Sequence, residues 1–315
     1  MRFAIIDLGT NTFNLLIAES DSDKSFTKLF NTKVAVKLGE GGINAGYIAD
    51  VPFQRGINAL KQYQQYLLDY NVEQTFAFAT SAIRSASNGS EFVEHAKKIA
   101  GITITVIDGH EEADLIYHGN KMAVNMSEQI SLIMDIGGGS NEFILANNHT
   151  IFWKNSYLLG AARLLEKFKP SDPITDKEIE AFNNYLREEL SSLFEATKNY
   201  PPIELIGSSG AFDSVIDIIA EEFDTTAIND IQTEYTIDIE HYKKVSKKII
   251  ESTLLERRHI PGLIEMRIDM IVISFLLIDF MVNEFNISNI RVSTYSLKEG
   301  VICKKLGLMC KPNSK

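Results

Sequence analysis

The sequence predicts an α/β protein built from two similar domains that face each other across a cleft. Three observations carry this. One apolar–turn–apolar pattern occurs twice, as "FAIIDLGTNTFNLLIA" from Phe3 and as "SLIMDIGGGSNEFILA" from Ser131. Strand-like and helix-like segments alternate between and after the two copies, which indicates mixed sheets with helical crossovers. The chain has 315 residues, 45% apolar and 23% charged, the size and balance of two ordinary globular domains.

The two copies align position by position. Asp7 meets Asp135, Gly9 meets Gly137 and Thr12 meets Ser140, while Leu15, Leu16 and Ile17 meet Phe143, Ile144 and Leu145. Each copy reads as strand, short polar turn and strand. The arms are continuously apolar, as expected of strands buried on both faces. Each hairpin places an aspartate at the end of its first strand. The small residues after it leave backbone N–H groups and hydroxyls free, and successive N–H groups of this kind form an anion-binding concavity. Two such turns would hold an anion between two halves, with carboxylates at hand for a metal. Two unrelated tight turns would account for either copy alone but not for the shared pattern. The G-x-G-x-x-G and G-x-x-x-x-G-K-[ST] fingerprints are absent, so an anion site must rest on the hairpins.

The remaining elements follow in order. Residues 51–70 carry Ile57, Leu60, Tyr63 and Leu67 at helical spacing and read as an amphipathic helix. "QTFAFAT" is a short strand, "GSEFVEHAKKIAG" a helix closed by Gly101, and "ITITVID" another strand. "TDKEIEAFNNYLREELSSLFEAT" is a helix that Thr175 or Asp176 can cap, with Glu178 in support. "IELIGSSGAFDSVIDIIA" is a strand, a Gly/Ser turn and a helix whose N-terminus could accept an anion. "MIVISFLLIDFMV" contains Asp279 and is too short for a membrane span, so it reads as a buried helix.

Charge and cysteine content narrow the function classes. The net charge of −11 argues against a nonspecific nucleic-acid binder, which needs a basic surface. It leaves room for an anionic substrate, since local fields and bound cations can reverse the sign within a cleft. Cys303 and Cys310 are the only cysteines, and the start meets Asp7 with no room for a signal-peptide apolar region. The expectation is a cytoplasmic protein with neither membrane nor nucleic-acid partner.

A set of stretches distributed over nearly the whole chain resembles the Ppx/GppA family of exopolyphosphatases and guanosine pentaphosphate phosphohydrolases. They are "DLGTNTFNLLI", "KLGEGGINAGYI", "ATSAIR" with Asn88 following, "DGHEEADLIYHG", "DIGGGSNE", "LGAARLLEKF", "GSSGAFDSVI", "RRHIPGLIEMRIDMI" and "SLKEGVI". Their order and spacing together are more specific than any one of them. The resemblance implies two ribonuclease-H-like domains of the actin/Hsp70/sugar-kinase superfamily, with an interdomain cleft. On that reading residues 1–119 plus 297–315 form the N-terminal domain and residues 120–296 the C-terminal domain. It also implies the short form of the family, without the C-terminal HD-type helical domain of longer members, and a homodimer.

Roles follow from the same resemblance. Glu112, the second glutamate of its pair, would be the general base; favouring a helix N-terminus is the blander role open to it. Asp135 and Glu142 would hold Mg²⁺, a hard cation suited to one or two carboxylates plus phosphate oxygens. Gly137, Gly138, Gly139 and Ser140 would donate to the terminal phosphate, and Asp7, Gly9, Thr10 and Asn11 would face it from the other side. Arg84 would clamp phosphate, since a guanidinium can bind two of its oxygens at once. Arg267 occupies a position associated with the phosphate chain or nucleotide, although a helix salt bridge would serve it equally. Arg163 reads as a structural partner, and the histidines show no metal-ligand spacing.

Four departures from the family pattern bear on substrate preference. Asn14 stands where members often have Arg or His, Ala211 replaces a usual Thr, Lys298 replaces Arg, and Thr294 replaces an acidic residue. The leading expectation is hydrolytic release of terminal phosphate from polyphosphate or guanosine pentaphosphate. A kinase or ATPase on the same fold, and a nonhydrolytic alarmone sensor, are the other classes that this pattern allows.

Overall fold

The computed structural model describes residues 1–20, 25–229, 231–307 and 309–310. The chain opens with an antiparallel meander of β1 (Arg2–Leu8), β2 (Thr12–Ser20) and β3 (Ser25–Ala35). It continues through α1 (Asp50–Asp69), β4 (Gln74–Ala79), α2 (Ser81–Ser85), α3 (Gly89–Ala100), β5 (Ile104–Val106) and α4 (Gly109–Ala123). The second half repeats the opening, with β6 (Ser131–Ile136), β7 (Asn141–Ala146) and β8 (Ile151–Tyr157) as its meander. Then come α5 (Ala161–Phe168), α6 (Asp176–Glu189), α7 (Ser191–Asn199), β9 (Glu204–Ser208), α8 (Gly210–Phe223), β10 (Glu234–Ile237), α9 (Ile239–Glu251) and α10 (Leu254–Arg257). A 3₁₀ turn at Glu265–Arg267 leads into α11 (Ile271–Glu284), β11 (Ile290–Ser293), α12 (Leu297–Val301) and β12 (Met309–Cys310).

The strands form two six-stranded sheets, ordered β12-β3-β2-β1-β4-β5 and β10-β11-β9-β6-β7-β8. In the first, β4 lies parallel to β1 and β5 parallel to β4. In the second, β9 lies parallel to β6 and β11 parallel to β9. The sequence repeat is therefore a structural repeat, and this is the two-domain, ribonuclease-H-like architecture that was expected. Both hairpins keep their apolar arms buried on both faces, with β6 and β7 buried at every position.

Helices α4 and α12 lie between the two sheets. Their apolar side chains, among them Leu115, Ile116, Leu297 and Val301, join Phe3, Ile5 and Leu16 of one sheet to Ile133, Ile144 and Ile206 of the other in one cluster. The two helices cross closely at glycines: a Cβ on Gly119 would collide with Ser296 O, and one on Gly300 with Leu115 O. The boundary expected at Gly119 thus falls inside α4, about one turn before its end at Ala123. Of the expected return segment 297–315, residues 308 and 311–315 lie outside the described residues.

Local signals fared as their physics suggests. Thr175 caps α6 in a full capping box with Glu178. Gly101 ends α3 with φ 66°, a left-handed conformation that glycine adopts without strain. The long segment from Thr175 breaks at Leu190 (φ −92°, ψ 16°) into α6 and α7, a kink that apolar periodicity continues straight through. Helix α11 is buried along nearly its whole length. Among the described residues, no helix is long and apolar enough to cross a membrane.

Candidate active site

The hairpin turns meet face to face. A Cβ placed on Gly138 would lie 3.1 Å from both Asn11 Cβ and Asn11 N, and one on Gly139 would collide with Thr10 Oγ1 and sit 2.7 Å from Ser81 Oγ. None of Gly137, Gly138 and Gly139 has a positive φ. Gly138 and Gly139 are therefore demanded by close approach across the cleft, and Gly137 by the approach of Ser140 O within its own turn, rather than by an unusual backbone conformation.

Polar groups converge where the turns meet. Thr10 Oγ1, Asn11 Nδ2, Thr12 Oγ1 and Ser81 Oγ are all buried without a hydrogen-bond partner. Such groups cost about 1–3 kcal/mol each when left unsatisfied, so a cluster of them is a cradle for an oxygen-rich ligand. The cleft that they border is also lined by Asp7, Gly9, Gly137, Gly138, Gly139, Ser140 and Arg267. The expected turn residues thus line one cleft, but Gly137 does not serve as the expected donor there, because its N–H is held by Ser140 O at 3.1 Å.

Four carboxylates line this cleft. Asp7 and Asp135 are the penultimate residues of β1 and β6, and Asp135 pairs in register with Glu142 just as Asp7 pairs with Asn14. Asn14 Nδ2 donates to Asp7 Oδ2 at 3.1 Å. Asp135 Oδ2 accepts from Ser208 Oγ at 2.6 Å and from Ser296 Oγ. Glu142 Oε1 accepts from Ser156 Oγ at 2.6 Å. Glu142 is only 1% exposed, which removes the reading of it as an ordinary surface strand residue.

The fourth carboxylate, Glu112, sits in the first turn of α4. Asp108 caps that helix, its Oδ1 accepting from His110 N and Glu111 N at 2.8 Å. Glu112 Oε2 accepts from Arg84 Nη1 at 2.8 Å, and the same nitrogen donates to Ile107 O at 2.9 Å. Arg84 is thereby engaged beside Glu112 instead of lining the cleft.

Burial dominates the electrostatics of all four acids. It raises Glu112 to about 7 against the lowering effect of Arg84, with Asp7 and Asp135 adding to the rise. Burial likewise raises Asp7 to about 6, opposed by Lys298 and the Asn14 hydrogen bond. Asp135 is raised by burial against the hydrogen bonds of Ser208, Ser296 and Ser209. Glu142 is raised well above the usual range by burial and then by the charges of Glu112 and Asp135. Anions crowded out of water in this way favour a proton or a cation among them.

That crowding is what a divalent cation would relieve, and the donor set suits a hard one. Among the described residues no group of three or more His, Cys, Asp or Glu stands arranged as a metal cage. Mg²⁺ rarely needs one: it binds through one or two carboxylates and completes its shell with water and phosphate oxygens. The register pair Asp135 and Glu142 fits that pattern.

Cations line the same cleft. Lys33, Arg267 and Lys298 line it together with Asp213. Arg267 reaches in over Gly210, where any Cβ would overlap its guanidinium. Ser209, beside that glycine, has φ 74°, an uncommon conformation for a non-glycine residue at a turn that faces the cleft. Sequence reasoning singled out Arg267 but passed over Lys33, Asp213, Ser81, Ser208 and Ser296. Ser81, Ser208 and Ser296 lie inside quoted motifs, whereas Lys33 lies in a strand with no motif at all.

Comparison with known proteins identifies the family. The model of the Ppx/GppA phosphatase family matches residues 16–309. The chain belongs to the Ppx/GppA phosphatase family. Its fold superposes on an exopolyphosphatase from Cytophaga hutchinsonii with TM-score 0.94 and 39% identity, covering 98% of this chain and 99% of that one. A Ppx/GppA enzyme of Aquifex aeolicus aligns with TM-score 0.77 and 25% identity over 96% of this chain and 98% of its own. Exopolyphosphatase 1 of Mycobacterium tuberculosis is 24% identical over 310 residues, 97% of this chain and 88% of that protein.

Proposed function

We propose that the protein is an exopolyphosphatase that hydrolyses the terminal phosphate of inorganic polyphosphate or of guanosine pentaphosphate. The observation that carries this is the placement of a buried, proton-hungry Glu112 at a cleft bordered by two donor-rich turns. The names of the Cytophaga and Mycobacterium relatives support the same substrate class.

The terminal phosphate would sit between the turns. Backbone N–H groups of Gly138 and Gly139 and the hydroxyls of Ser140, Thr10 and Ser81 would meet its oxygens, with Asn11 Nδ2 as a further donor, whereas Gly137 N–H is committed to Ser140 O at 3.1 Å and shapes the turn. Phosphoryl transfer depends mostly on positioning and on donors aimed at developing charge, which such fixed groups supply. Arg84 engages Glu112 Oε2, which leaves Oε1 to take the proton of the attacking water. Asp135 and Glu142 would hold Mg²⁺, which when bound offsets the charge of the phosphate oxygens. Ser208, Ser296 and Ser156 fix the two carboxylates in place.

The test is orthophosphate release from polyphosphate, guanosine pentaphosphate and ATP, each with and without Mg²⁺. Release from one of the first two that depends on Mg²⁺ and falls on the order of 10²–10⁴-fold in Glu112→Gln supports the reading. An unimpaired Glu112→Gln enzyme refutes the assignment of the base, and turnover of ATP alone moves the protein to the ATPase class.

A further inference from the structure

Among the described residues three helices open with a capping box: α6 with Thr175 and Glu178, α10 with Thr253 and Glu256, and α12 with Ser296 and Glu299. In the first two the threonine hydroxyl turns onto its own glutamate. Thr175 Oγ1 donates to Glu178 Oε2 at 2.7 Å, and Thr253 Oγ1 to Glu256 Oε2 at 2.8 Å. Neither of these glutamates is buried. The third box differs on both counts. Ser296 N–H still donates to Glu299 Oε2, at 3.2 Å, but the serine hydroxyl donates to Asp135 Oδ2 on the far strand β6.

Glu299 is only 3% exposed, a depth at which a carboxylate is costly unless it is paired. Lys28 of β3 supplies the pair. Its Nζ lies 3.5 Å from Glu299 Oε1 and 4.4 Å from the centroid of the Tyr295 ring, so it closes over both residues. Burial works against the charge of Glu299, but Lys298, Lys28 and backbone N–H groups hold it below the usual carboxylate range. Capping alone explains neither the burial nor the pairing, since the exposed Glu256 caps α10 by the same bond to its N-cap N–H. Ser296, Leu297 and Lys298 line the cleft, whereas Glu299 is not among its lining residues. The bonded link from Glu299 to the site is therefore Ser296.

We propose that Glu299 is a positioning residue for Asp135: it fixes the backbone of Ser296 so that the serine hydroxyl stays on Oδ2 and biases Oδ1 toward a divalent cation. This rests on the reading above that Asp135 holds Mg²⁺. Ser208 Oγ meets the same Oδ2 at 2.6 Å, from β9. A carboxylate held on one oxygen by two hydroxyls cannot exchange its oxygens without breaking both bonds. Loss of such outer partners weakens metal binding by about 10–100-fold in other sites.

Mn²⁺ is the probe, because oxygen donors that suit Mg²⁺ suit it too, and its free form is counted by electron paramagnetic resonance. The binding at issue is that lost in Asp135→Asn. Glu299→Met keeps the side-chain length and removes the acceptor, and should weaken Mn²⁺ binding about tenfold. Glu299→Gln keeps an oxygen for Ser296 N–H and should stay near the parent. Ser296→Ala should lose about as much as Glu299→Met, and the two together no more than either, because they break one link. A folded Glu299→Met protein that binds Mn²⁺ as tightly as its parent overturns the proposal and leaves Glu299 as a helix cap. Additive losses in the double variant overturn it as well. Should Glu299→Met not fold, Ser296→Ala decides, and unchanged Mn²⁺ affinity there removes the link. A parent that binds no Mn²⁺ refutes the metal assignment of Asp135 itself, and this role with it.

Discussion

Arg84 Nη1 lies 2.8 Å from Glu112 Oε2, yet Glu112 is held up to about 7. An adjacent guanidinium alone would push a carboxylate below its usual range. Burial, aided by Asp7 and Asp135, wins. The carboxylate therefore changes ionisation near neutral pH, the range in which a general base is most effective. Hydrolysis should rise with pH along an acid limb centred near pH 7. Arg84→Met removes the cation that most favours the ionised form, so the limb should move to higher pH. A profile of kcat/KM against pH for the two proteins checks this, and an unmoved limb would show that Glu112 is not the titrating base.

The same raised values make stability depend on pH in a direction opposite to the common one. Folded Glu112 titrates near 7 and folded Asp7 near 6, whereas their ordinary values are 4.5 and 3.8. Between each ordinary value and its folded value the native state holds a proton that the unfolded chain has released. Their contribution is thus fully present below about pH 4 and is lost as pH rises through 6 to 7. Thermal unfolding without divalent cation should show Tm falling across this window. Added Mg²⁺ should flatten the fall in the parent and do so less in Glu142→Gln.

Gly139 tests the close approach of the turns. Alanine there would drive a methyl group into Thr10 Oγ1 and Ser81 Oγ, two groups assigned to the phosphate. Relief requires the turns to separate, since both neighbours are buried. Gly139→Ala should cost about 1–3 kcal/mol of stability, the usual penalty of overpacking. Its kcat/KM should fall on the order of 100-fold, because misplacement by about 1 Å is felt strongly in a positioned site. Chemical denaturation and steady-state assays together separate the two effects.

Much of this was legible before the fold was known, because the hairpins are local. Asp7, Asp135 and the glycine turns follow from a repeated pattern of apolar arms around small residues, and both sheets carry that pattern in the same topology. Glu112 is named from the resemblance of its motif, as the second glutamate of the pair at the start of α4. What escaped depends on pairing between distant segments. Lys33 lines the cleft only because β3 lies in register with β2, and a strand of mixed polarity shows no such register in one dimension. Arg84 reads as a phosphate clamp from the resemblance of its motif and from the fork of its guanidinium. Its engagement with Glu112 requires α2 and α4 to be adjacent, which no short window reveals. The break at Leu190 escaped for a different reason, since both α6 and α7 keep the same apolar spacing.

Arg163 supplies the last prediction. Its guanidinium ties three segments together: Nε donates to Gly139 O at 3.0 Å, Nη1 to Ile43 O at 2.8 Å, and Nη2 to Ser85 Oγ at 3.4 Å. Asn44 Nδ2 adds a bond back to Arg163 O at 3.1 Å. These contacts join α5 and the second glycine turn to the loop at Ile43 and Asn44 and to the last residue of α2. Arg163 holds the turn from behind, through Gly139 O. A lysine cannot reproduce them, because a single ammonium does not span carbonyls that lie in different directions as a planar guanidinium does. Arg163→Lys should therefore fail almost as badly as Arg163→Met. Each should lose about 1–3 kcal/mol, the cost of leaving buried carbonyls unsatisfied. Both should raise KM for polyphosphate and lower kcat, while the acid limb set by Glu112 stays in place. A shifted limb with unchanged stability would instead place Arg163 in electrostatic contact with the base and refute its role as a brace.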